Sequence, residues 1–121
     1  MCVNNKDILT LAFSKQQELL RRFKCNIENL SIEEIEKWSK EFILAMHAEL
    51  SELLEWQHWK HWKINKVKYD DERIKEIHLE IIDIFCFLVD LSLVWGLDPS
   101  KFISLYKCKS DINIERQNNN Y

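Results

Sequence analysis

One glycine and one proline are all that the chain contains of the two residues that punctuate tight turns. An all-β fold, which depends on many such turns, is thereby disfavoured, and long helices are expected. Cysteine is sparse where its spacing would matter. Cys2, Cys25, Cys86 and Cys108 show no CxxC spacing. The first residues lack a signal-peptide pattern, so reduced thiols in the cytoplasm are expected. Positive charge is in deficit: the net charge is -3, which argues against binding nucleic acid through a basic surface. A membrane-length apolar run is missing too. IIDIFCFLVDLSLVW, residues 81–95, comes nearest, but it is short of a span. It also holds Asp83 and Asp90, each adding roughly 2.5–3.5 kcal/mol to insertion. No membrane partner is expected.

What is present describes one globular domain. At 121 residues, with 46% hydrophobic and 31% charged residues, the chain can bury a modest core. The apolar spacing predicts a first helix over about residues 6–24. Ser31 followed by Glu34 spells a capping box and opens a long second helix through about Trp62. Residues 64–70 lose the period and form a connection. Asp70 or Asp71 caps a third helix running to Trp95, where Gly96 supplies the stop. Asp98 and Pro99 open a short fourth helix to about Lys107. Residues 110–121 are polar and rich in asparagine, and a flexible tail is expected there. The expected fold is all-α, with antiparallel helices over residues 1–109 and the tail over 110–121 belonging to the same domain.

Two acid pairs interrupt this pattern. At roughly 100° per residue, Phe42, Met46, Leu50, Leu53 and Leu54 mark the apolar arc of the second helix. Glu49 falls on the edge of that arc, with Glu52 further round. The third helix is apolar nearly all round, yet Glu80 and Asp83 share a face with Phe87, Leu91 and Val94. Burying unpaired carboxylates is costly, and four together repel. A divalent cation between the pairs reconciles them. Mg²⁺ prefers hard oxygen ligands and keeps positions for water and phosphate oxygens, with Mn²⁺ as a substitute. Acid pairs at this spacing also occur on solvated helix faces, which is the reading for Glu55 and Glu72. A di-iron bundle would need two ExxH motifs, and only Glu55 and His58 have that spacing. The third helix has more apolar surface than the remaining helices can cover, so a homodimer with a four-helix core is expected.

Glu49-x-x-Glu52 on one helix and Glu80-x-x-Asp83 on the next resembles the metal signature of the all-α nucleotide pyrophosphatases, the MazG-like superfamily, and within it the dimeric dUTPases. WKHWKIN, residues 59–65, and LEIIDIFCFL, residues 79–88, are similar to segments of that family. So is the tail spacing of Lys109, Asn113, Arg116, Gln117 and Tyr121. The resemblance implies metal-dependent hydrolysis of a deoxynucleoside triphosphate, dUTP above all, to the monophosphate and pyrophosphate. Glu49, Glu52, Glu80 and Asp83 would then be both metal ligands and catalytic groups, with Glu49 orienting the attacking water. Lys109 and Arg116 would hold the pyrophosphate, with Lys60, Lys63 and Trp62 as further contacts. Asn113 and Tyr121 would address sugar, phosphate or nucleoside. Phe87 would stack on the base, and Gln16 on the first helix would meet the uracil.

The chain departs from the family pattern at several points. Phe85 and Cys86 stand where a polar aromatic residue and a histidine are usual, Asn120 replaces a glycine, and Leu20 replaces a polar residue. Additional helices that many relatives carry before the tail are absent. Two other readings stay open on these residues: a broader pyrophosphatase for dCTP, dUTP or another nucleotide, and a non-enzymatic helical module whose acids hold a structural ion or a basic partner.

Overall fold

The structure is a computed structural model that describes residues 5–119, with side chains from Ile8 onward. It contains α1 (Asn5–Arg22), a single 3-10 turn (Ile27–Asn29), α2 (Ile32–Glu55), α3 (Asp71–Val94) and α4 (Pro99–Asn118). No strand occurs among the described residues, so the fold is all-α.

Local chemistry explains the helix starts. The Glu34 N–H donates to Ser31 Oγ and the Ser31 N–H to Glu34 Oε1, both at 3.2 Å, which closes the capping box of α2. Asp70 accepts from the Arg73 N–H at 2.9 Å and Asp98 from the Lys101 N–H at 2.8 Å. Pro99 occupies the first turn of α4, where its missing N–H costs nothing. Two helices end in the same way. At the end of α3, Gly96 takes φ 83° while Leu97 N–H bonds back to Ser92 O. At the end of α1, Lys24 takes φ 63° and Cys25 N–H bonds back to Leu20 O. A side chain in that left-handed region costs roughly 1–2 kcal/mol, which burying Cys25 beneath the turn offsets.

Two boundaries differ from the sequence expectation. The second helix stops at Glu55 and does not reach Trp62. The Arg73 guanidinium takes the Trp56 carbonyl at 2.9 Å, and the Tyr69 hydroxyl accepts from the His58 N–H at 2.8 Å. These contacts from the other side of the connection draw the chain out of the helix. The fourth helix does not stop at Lys107. It runs to Asn118, so most of the segment expected as a tail is helical. No glycine or proline follows Pro99, and a polar sequence without a breaker continues a helix already started.

The core gathers Phe13, Leu20 and Cys25 with Phe42 of α2 and Val89, Leu93 and Val94 of α3. α3 lies between α1 and α2 and packs on both. Its register against α2 is antiparallel: the Trp95 Nε1–H donates to Ser39 Oγ at 3.0 Å near one end, and Arg73 meets Trp56 near the other. α4 leans on α1, with the rings of Phe13 and Phe102 edge to face at 5.7 Å. No helix among the described residues is long and apolar enough to cross a membrane. Leu20 is 2% exposed, whereas Ile64 is 94% exposed. Leu20→Ala is therefore expected to cost about 2–5 kcal/mol in urea unfolding, and Ile64→Ala to leave the midpoint within error.

Candidate active site

The antiparallel seam of α2 and α3 places one acid pair opposite the other. Carboxylate oxygens of Glu49, Glu52 and Glu80 all lie within 4.8 Å of one another. Glu49 and Glu80 are half-buried, and each has an Oε2 shut off from solvent without a hydrogen-bond partner. Glu52 is exposed. Asp83, one turn beyond Glu80, is exposed and stands outside the triad, though its charge acts on Glu49. A hydrogen bond with Glu80, then burial and the charges of Glu52, Glu80 and Asp83, push the Glu49 carboxyl up to about 7. Around neutral pH Glu49 is thus partly protonated. Converging hard oxygens, two of them buried and unpartnered, fit a divalent cation such as Mg²⁺.

Asp83 also lines a pocket of about 370 Å³, near the lower end of small-molecule sites. α1 and its end contribute Gln16, Leu19, Leu20 and Phe23, α2 contributes Trp38 and Phe42, and α3 contributes Cys86, Phe87 and Asp90. The structure therefore brings Gln16, Asp83 and Phe87 to the wall of one pocket. Trp38, Cys86 and Asp90, also in its wall, were given no site role from the sequence. Asp83, Phe87 and Asp90 follow the i, i+4, i+7 spacing of one helix face, so the third acid was readable in principle. Asp90 is 4% exposed and accepts from Gln16 Nε2–H at 2.9 Å. Burial pushes its carboxyl up to about 6, against the lowering effect of the Gln16 hydrogen bond. Burial, then the charges of Asp90 and Asp83, push the Cys86 thiol up, so it stays protonated.

Other expected residues lie elsewhere. Lys60 and Lys63 line a recess with Glu55, His58 and Trp59 past the end of α2. Trp62 is exposed, its ring edge-on to Trp59 at 5.9 Å. Lys109 and Asn113 line a shallow groove along α4 with Tyr106 and Gln117, and Arg116 is exposed near the end of that helix. Tyr121 lies outside the described residues. A recess of about 690 Å³ between Ile8, Phe85, Phe102 and Tyr106 is mostly apolar, with Lys107 in its wall.

The described chain is thus all-α, with a carboxylate cluster on a helix seam beside a pocket. A family model described as dUTPase matches residues 8–102. The match spans well over half of the chain, and the chain belongs to the dUTPase family. Neither the comparison with curated proteins nor that with solved structures gave a match. The matched stretch includes Gln16, both acid pairs and the whole pocket, and it ends before Lys109. Membership supports hydrolysis of dUTP or related deoxynucleoside triphosphates in general.

Asp90 makes stability depend on pH in a definite sense. Its folded pKa, about 6, lies above the ordinary 3.8, so between those values the folded chain binds more protons than the unfolded one. Stability from this group is present below that window and is lost as pH rises through 6. Asp90→Asn is expected to raise the Tm by a few degrees at pH 7.5, with the gain shrinking towards pH 4. A gain that is the same at both pH values would exclude the buried charge as its cause.

Proposed function

We propose that the protein hydrolyses a deoxynucleoside triphosphate, dUTP before others, to the monophosphate and pyrophosphate, acting in the cytoplasm as a homodimer. The observation that carries this reading is the convergence of Glu49, Glu52 and Glu80, one turn from an Asp83 that lines the pocket holding Gln16 and Phe87. Glu49, Glu52, Glu80 and Asp83 would hold Mg²⁺, or Mn²⁺ in its place. Such an ion, when bound, neutralises phosphate charge and acidifies a water.

The remaining roles belong to side chains. The Glu49 carboxylate is suited to orient the attacking water and to accept its proton. Phe87 stacks on the base and Gln16 hydrogen-bonds it, while Phe23, Trp38 and Phe42 keep water out of the pocket. Lys60 and Lys63, with Trp62 beside them, supply further phosphate contacts from the connection after α2. Lys109, Asn113 and Arg116, with Tyr121 beyond them, bind phosphate and nucleoside. Because α4 rests on its own α1, this helix is assigned to the acids of the partner protomer.

The surface of α3 supports the dimer. Ile81, Ile82, Phe85 and Leu88 are between 36% and 55% exposed along it, and paired across a two-fold they would bury an otherwise wet apolar stripe. Val94, by contrast, is buried within the protomer. Ile82→Asp is accordingly expected to yield monomers by light scattering at micromolar concentration, where the unmodified chain is dimeric. A monomeric unmodified chain would remove the homodimer.

Turnover is measured as pyrophosphate release from a panel of deoxynucleoside triphosphates with Mg²⁺. Glu49→Gln or Asp83→Asn is expected to lower kcat/KM by about 10²-fold or more. In chelator the same variants should melt no lower than the unmodified chain, because one repelling charge is gone. If no nucleotide in the panel is turned over, the acids belong to a binding module and not to an enzyme.

A further inference from the structure

The Asp90–Gln16 pair has no good explanation as a stabilising contact. A carboxylate that is 4% exposed and, among the described residues, held by one neutral side-chain donor costs more in lost hydration than that bond returns. An apolar residue in this part of α3 would pack as well at lower cost. The pair bridges α1 and α3 in the wall of the pocket, two turns beyond Asp83 and one beyond Phe87. Its geometry has one consequence for a ligand. A side-chain amide presents a donor at Nε2 and an acceptor at Oε1 on opposite sides of the same carbon, and nothing in its shape chooses between the two senses. An ionised carboxylate only accepts, so Asp90 admits only the sense in which Nε2 turns towards it, as the 2.9 Å contact records. Oε1 is then the group that Gln16 turns elsewhere.

We propose that Asp90 is a positioning residue that fixes the amide sense of Gln16, so that the pocket offers an acceptor to the base and selects a pyrimidine carrying N3–H over one carrying an N3 lone pair. The proposal rests on the nucleotide-hydrolysing reading above and names its base class. Uracil and thymine bring a ring N–H that Oε1 can accept. Cytosine brings a lone pair to the same position, which leaves both acceptors unsatisfied, and discrimination of this kind is strong in closed sites.

The test uses the full-length protein with Mg²⁺ and compares kcat/KM for dUTP and dCTP. The unmodified chain should prefer dUTP. Asp90→Asn can both donate and accept, so either sense of Gln16 becomes possible. The dUTP-to-dCTP ratio should fall about tenfold or more, in a variant expected to be more stable than its parent. In a Gln16→Ala background the same Asp90→Asn change should leave the ratio unmoved, because Asp90 acts only through that amide. A ratio unchanged in Asp90→Asn, an equal fall in the Gln16→Ala background, or a preference for dCTP in the unmodified chain would each overturn the proposal. Failure to turn over any deoxynucleoside triphosphate would instead sink the enzyme reading itself, so the two failures are distinguishable.

Discussion

Like charge held on a packed seam is the constraint around which this fold is arranged. Two full charges 4.8 Å apart repel by roughly 3–4 kcal/mol at an effective dielectric near 20, and the α2–α3 seam brings three carboxylates to that distance. The seam is held shut from both ends. Ser39 meets Trp95 near one end, Arg73 meets Trp56 near the other, and Phe42, Val89 and Leu93 belong to the core beneath. The register that seats these contacts is the one that sets Glu49 against Glu80. A proton on Glu49 relieves part of the repulsion, and a cation in its place would relieve more.

α3 serves two chemistries along one face. Glu80 faces the carboxylate cluster, while Asp83, Phe87 and Asp90 line the pocket. Because a helix is stiff, the distance between the two ends is set by the rise of the backbone and not by loops. α1 adds only Gln16 and a wall of leucines, and α2 adds the aromatic side. The acids in this helix therefore differ in kind: those at the seam are crowded by other charges, and Asp90 is set apart by loss of water.

How much of this was legible depended on how far the deciding contact lay along the chain. The starts of α2 and α4 rest on residues three apart or adjacent, Ser31 with Glu34 and Asp98 with Pro99, and these were readable directly. The end of α2 was not, because Arg73 and Tyr69 decide it from across the connection. The end of α1 carries no glycine, and Lys24 takes its conformation only because Cys25 finds a place in the core. Within the site, the acid pairs were visible as helical spacing against an apolar arc. The Gln16–Asp90 bond joins residues far apart in sequence, and no local pattern announces it. The positions of Lys60, Lys63 and Lys109 follow from the path of a connection and the direction of α4, which residue types alone do not determine.

α4 behaves mechanically as a cantilever. Twenty residues at about 1.5 Å each make a rod roughly 30 Å long, packed on the body near its root, where Phe102 meets Phe13. A tilt of about 10° at that aromatic hinge swings the free end through roughly 5 Å, more than the length of a hydrogen bond. Small changes of angle at the root of α4 thus become large displacements towards its far end.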